Sequence, residues 1–214
     1  MAEHRQEFQR KLGAIEGSVI ELFAMVSEDL PVATDALLTG DTELVRALAE
    51  REAVIDALYP EIEELVNREI ALQAPVASDL RFLLSVLRIV PELERSHDLV
   101  VDIAHRANHI LSQDLLPRSR GLVEQMGKLV SAMWSHAADS WYQRDGTAAT
   151  ALRERDDEMD ELYSSLIAEL ASGQMAIPVT MEMTLVARNY ERLAAHAVNI
   201  ARRVVYLAGV QPPD

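Results

Sequence analysis

Seven acidic residues stand at spacings that could hold a cation. Glu52 and Asp56, Glu94 and Asp98, and Asp156 and Asp160 are each four residues apart, and Glu191 is followed four residues later by Ala195. Residues four apart share one face of a helix, so each pair projects two carboxylates side by side. Carboxylates this close raise one another's pKa unless a cation or an arginine neutralises them. Facing helices that carry such pairs can build oxygen-rich sites for hard cations and iron. Arg51, Arg95, Arg155 and Arg192 each adjoin one of these acids in sequence, which makes salt bridging the alternative to metal. The candidate metal ligands are therefore Glu52, Asp56, Glu94, Asp98, Asp156, Asp160 and Glu191.

Other chemistry is poorly represented. Glu94-x-x-His97 matches half of a di-iron carboxylate motif, but that chemistry wants the element on two helices. The counterpart of His97 is Ala194, and Asp102-x-x-His105 lies on the same helix as the first copy. His105 and His109 read as a solvated pair near a helix end. No P-loop, dinucleotide-binding turn or nucleophile triad is present. No catalytic residues and no organic-cofactor site are expected, so the chain does not read as an enzyme.

The acids must be positioned by helices, because the pattern is helical almost throughout and glycine and proline are sparse. Helix one is expected over about Glu7–Leu38, kinked at Pro31, with Gly13 and Gly17 allowing a neighbour's close approach. Thr39-Gly40 ends it, and Asp41 caps the second helix with Glu43 in its first turn. Leu48, Ile55 and Ile62 recur at seven as a bundle seam, with a bend rather than a stop at Pro60. Gln73-Ala74-Pro75 breaks the pattern. Helix three carries Leu80, Leu83, Leu84, Leu87 and Val90, contains Pro91, and is expected to end near Leu111. Ser112–Gly121 reads as a linker. Helix four is expected from about Leu122 to Gln143, with Met126, Met133, Trp134 and Trp141 as core or as a partner face. Asp145-Gly146-Thr147 restarts the chain, helix five carries Met159, Leu162, Leu166 and Leu170, and helix six begins near Pro178.

The second half repeats the first. Glu94–Arg106 reads ERSHDLVVDIAHR and Glu191–Arg203 reads ERLAAHAVNIARR, an offset of 191 − 94 = 97. Glu52, Asp56 and Tyr59 pair with Asp156, Asp160 and Tyr163 at 160 − 56 = 104. This predicts an all-α fold of two tandem three-helix bundles, residues 1–113 and 120–214, packed end to end or side by side.

Composition narrows the class further. A formal net charge of −15 with no basic tract argues against a nucleic-acid binder. Cysteine is absent, which excludes thiolate metal ligands. Residues 1–11 lack the apolar core of a signal peptide, and the apolar run 80–90 is interrupted by Arg81 and Arg88 and too short to span a bilayer. A cytoplasmic location without membrane insertion is expected.

Taken together with QAPVASDLR at Gln73–Arg81, the two long repeats make the chain resemble the PhoU family of phosphate-signalling regulators over nearly its whole length. The resemblance implies paired three-helix bundles without known catalytic activity. It implies an adaptor between a phosphate ABC transporter's ATPase and a membrane sensor histidine kinase, one that represses the starvation response when phosphate is plentiful. A homodimer is expected. Some members carry iron or zinc clusters on E/D-x-x-x-D motifs, which fall here on Glu52/Asp56, Glu94/Asp98 and Asp156/Asp160. Ala195 replaces the aspartate expected after Glu191, with His196 about 100° further round the helix, and Asp102 stands where the family usually has asparagine. The rival reading is a carboxylate bundle that stores metal or acts as a di-iron-like enzyme.

Overall fold

The computed structural model describes residues 2–109 and 114–209, with side chains from residue 5 onward. Among these residues the chain forms α1 (Ala2–Thr39), α2 (Thr42–Gln73), α3 (Ala77–His105), α4 (Pro117–Gln143), α5 (Ala148–Leu170) and α6 (Ile177–Leu207), and no strand. The all-α expectation of two three-helix bundles holds. Local chemistry sets most boundaries. Gly40 takes the left-handed conformation (φ +77°) that ends α1. The Asp41 carboxylate then accepts hydrogen bonds from the Glu43 and Leu44 amides at 2.9 and 3.3 Å, starting α2. Helices α1, α2 and α3 continue through Pro31, Pro60 and Pro91.

Two boundaries differ from expectation. Helix α3 gives way after His105 to a 3₁₀ turn over Arg106–Asn108, short of Leu111, which lies outside the described residues. Helix α4 starts at Pro117 rather than Leu122, because a proline at the first helical position sacrifices no hydrogen bond. Residues 117–121 of the expected linker are thus helical, and 112–113 lie outside the described residues.

The bundles lie side by side, and their cores run together. Helix α2 packs on α1 and α3, and α5 packs on α4 and α6, while α1 meets α4 and α3 meets α6 across the middle. The central pairs run antiparallel. Arg120 Nη1 donates to the Leu38 carbonyl at 2.7 Å, and Arg144 at the other end of α4 pairs with Glu16. Between α3 and α6, Asn199 Nδ2 donates to Glu92 at 3.2 Å and Asn189 Nδ2 donates to Asp102 at 2.7 Å. Both cross-links obey the offset of 97, with amide and carboxylate exchanged. The aspartate at 102 therefore accepts in one half the kind of bond that Asn199 donates in the other. Met126, Met133, Trp134 and Trp141 are fully buried, so helix four supplies core here and no partner face.

Gly13 and Gly17 have no neighbour within 4 Å of where a Cβ would stand and do not mark a close approach. That role belongs to Gly127, where a Cβ would lie 2.6 Å from Thr34 Oγ1 and 2.7 Å from its Cγ2. Thr34 is held by the Leu30 carbonyl and the Tyr190 hydroxyl and cannot easily yield. Gly127→Ala gains about 1 kcal/mol of helix propensity but incurs an overpacking cost of about 1–3 kcal/mol. A net loss of stability is expected in urea unfolding. The double variant with Thr34→Ala should lose less than the sum of the two single losses; strict additivity would show that the contact is not what matters.

Candidate metal centre

Helix α2 turns Leu48, Ile55 and Ile62 into the core, and α3 does the same with Leu93, Val100 and Ile103. Packing these stripes together leaves the flanking acids along the solvent side of the α2/α3 contact. Asp56, Glu94 and Asp98 converge there, each offering a carboxylate oxygen so that all three oxygens lie within 4.8 Å of one another. Among the described residues, this is the one group of three or more His, Asp or Glu side chains that meets that spacing. Glu52 is outside it. Asp56 and Asp98 are exposed and Glu94 is half-buried, so a bound ion would keep access to water.

Among the described residues, no cation pairs directly with the cluster. Arg51 turns instead to Glu28 and Asp29, and Arg95 to Glu92 at 3.2 Å. The alternative of neutralisation by the adjacent arginines is not realised here by Arg51 or Arg95: Arg95 acts on Glu94 and Asp98 only through its field. Burial, then Asp98 and Asp56, push the Glu94 carboxyl above its ordinary range, with Arg95 opposing. Burial and Asp56 raise Asp98, opposed by His97 and Arg95. Three carboxylates without a direct cationic partner among the described residues, two of them (Glu94 and Asp98) held above their ordinary range, form a donor set suited to a divalent cation, which would relieve their repulsion.

The acids of the second half do not converge in this way. Burial, then Asp160, Asp157 and Glu191, raise the Asp156 carboxyl, opposed by Arg202, so the acids feel one another. They do not reach the 4.8 Å spacing seen in the first half. Glu191 leans toward Arg188 at 3.8 Å, and Ala195 supplies no ligand.

Among the described residues, no histidine joins the Asp56, Glu94 and Asp98 cluster. His97 is fully buried, and its Nε2 donates to Asp29 Oδ2 at 2.9 Å. Asp29 is 1% exposed and also meets Arg51 Nη1 at 3.0 Å, which ties α1, α2 and α3 together behind the acidic face. The half-motif Glu94-x-x-His97 is thus split between solvent and core. Asp29 went unread in the sequence, although an acid beside Leu22, Val26 and Leu30 on a buried stripe is itself a signal. His105 and His109 are exposed.

His196 sits at the α3/α6 seam, its Nδ1 sharing a hydrogen bond with Ser96 Oγ at 2.8 Å. Burial lowers its pKa from the ordinary 6.5, Arg192 and Arg95 lower it further, and Glu92 opposes. As pH falls below 6.5 the unfolded chain takes up this proton before the folded one, so the contribution present above that pH is lost on acidification. His196→Gln should lessen the fall in Tm between about pH 7 and pH 5; an unchanged fall would assign acid sensitivity to other groups.

The PhoU domain matches the chain twice, over residues 19–107 and 123–204. The chain is 31% identical over 214 residues to the phosphate-specific transport system accessory protein PhoU homolog 1 of Mycobacterium leprae, covering 98% of this chain and 96% of that one. It is 32% identical to the PhoU homolog of Zymomonas mobilis, covering 97% and 89%. The crystal structure of PhoU from Pseudomonas aeruginosa superposes with a TM-score of 0.88 at 28% identity, covering 94% of this chain and 98% of that chain. The phosphate transport system regulatory protein PhoU from Streptococcus pneumoniae gives 0.85 at 28% identity, covering 94% and 96%. No described helix is long and apolar enough to cross a membrane.

Proposed function

Because the chain belongs to the PhoU family, we propose that it is a non-enzymatic regulator of phosphate uptake and of the phosphate-starvation response. In this reading it works in the cytoplasm as an adaptor between a phosphate ABC transporter's ATPase and a sensor kinase, and holds the response off in high phosphate. The observation that carries this is the near-complete alignment of both repeats with phosphate-specific transport accessory proteins. A stripe on α6 supports partner contact: Ile177, Met181 and Leu185, four residues apart, are exposed by 76, 64 and 45%.

Asp56, Glu94 and Asp98 would hold a divalent cation such as manganese or iron, which would supply charge neutralisation and cross-link α2 to α3. An all-oxygen set favours such an ion over zinc, which more often takes nitrogen and sulfur. A di-iron-like enzymatic role is disfavoured by His97, whose Nε2 is already bound to Asp29 in the core.

Deletion should leave a starvation-responsive reporter active in phosphate-rich medium, and returning the gene should restore repression. Unchanged reporter output on deletion would point to a duty outside this response.

A further inference from the structure

Four arginines gather in a chain that is otherwise strongly acidic. Arg88 of α3, Arg153 of α5, and Arg202 and Arg203 of α6 line one cleft of about 630 Å³. The whole chain carries 35 acidic against 20 basic residues, yet Glu92 is the one acid on the cleft wall. Glu92 is already engaged by Arg95 and Asn199. None of the four arginines has a hydrogen bond or ion pair among the described residues; Arg202 acts on Asp156 through its field alone.

The cleft has a second anion-attracting feature. Its floor includes Ala149 and Thr150 in the first turn of α5, a helix start with no side-chain cap and no acidic residue. Thr147, the N-cap residue, turns its hydroxyl to the Asp145 carboxylate, and the same carboxylate oxygen accepts from the Thr147 amide, so neither side chain caps the helix. Uncapped helix N-termini favour anions through free amides and the helix dipole.

The other half of the fold lacks this combination. By the repeat offsets, Arg88, Arg153, Arg202 and Arg203 correspond to Leu185, Ala49, His105 and Arg106. Arg106 is consumed by Asp102 and Glu182. Helix α2, the counterpart of α5, begins with the Asp41 cap and Glu43. The basic cleft is therefore not a by-product of the duplicated architecture.

We infer that this cleft binds a phosphate-bearing small molecule. Guanidinium forks match phosphate oxygens bidentately, and unpaired like charges on three helices are relieved by a multivalent anion between them. The volume falls in the range of small-molecule sites, about 300–1,000 Å³. Tyr206 on its wall, 45% exposed, offers a ring face to a flat group. Free phosphate and a nucleotide phosphate share this chemistry.

Titration calorimetry on the full chain, with orthophosphate, ADP and ATP each as probe, tests the inference. At least one probe should bind one to one, more weakly at higher salt. Arg153→Gln and Arg203→Gln should each weaken binding about tenfold or more. Arg155→Gln, on α5 but outside the cleft, should leave binding unchanged, and circular dichroism should show all variants fully helical. Binding of orthophosphate alone identifies free phosphate as the ligand; binding of ADP or ATP without orthophosphate identifies a nucleotide. No binding of any probe, or undiminished binding by the Arg153→Gln/Arg203→Gln variant, would overturn the inference.

Discussion

Asp98→Ala should strip the protein of most of the divalent metal it can bind, whereas Asp160→Ala should change metal content little. The difference rests on geometry in the two repeats. In the first, Asp56, Glu94 and Asp98 bring oxygens within 4.8 Å of one another and have no direct arginine partner among the described residues. Removing one leaves two donors and less repulsion for a cation to relieve. Loss of a supporting residue already costs metal sites about 10–100-fold in affinity, and loss of a ligand should cost at least as much. In the second repeat, Ala195 stands where a fourth acid would be and Glu191 leans toward Arg188. Elemental analysis after iron loading, with helicity checked in parallel, reads the outcome. Glu52→Ala should fall between the two, since Glu52 lies on the same helix but outside the cluster. Equal loss from Asp98→Ala and Asp160→Ala, or occupancy of the second repeat alone, would mean that Ala195 does not weaken that half.

Asp29→Ala should be the most damaging polar substitution for stability. Its carboxylate, 1% exposed, accepts from His97 Nε2 at 2.9 Å and meets Arg51 Nη1 at 3.0 Å. The variant leaves a fully buried imidazole with neither nitrogen bonded, because Nδ1 already lacks a partner. Breaking a buried pair from one side costs about 3–5 kcal/mol. The lower end applies, since the Arg51 side chain is 40% exposed and water can take over its half. About 3 kcal/mol in a chain of this size lowers Tm on the order of 6–12 °C. Asp29→Asn keeps an acceptor for His97 and should lose less. A loss under about 1 kcal/mol from Asp29→Ala would show that water replaces the carboxylate at both partners.

Much of this molecule was legible in its residues. Periodicity marked the helices, Gly40 and Asp41 marked the first turn, and the offsets of 104 and 97 marked the duplication, because each depends on neighbours along the chain. The acids were legible as pairs for the same reason. Which of them converge was not. Spacing fixes the face a residue occupies on its own helix, but not how two helices are rotated and slid against each other, and one residue of rotation swings a side chain by about 100°. That rotation placed Asp56 in the cluster and Glu52 outside it, and sent Arg51 to Asp29 on α1 rather than to the acids beside it in sequence. It also decided that Gly127, and not Gly13 or Gly17, meets a neighbouring helix. The arginine cleft is the extreme case. Residues 88, 153, 202 and 203 come from three helices in both halves, and only the antiparallel docking of α3 on α6, with α5 alongside, gathers their charges onto one surface.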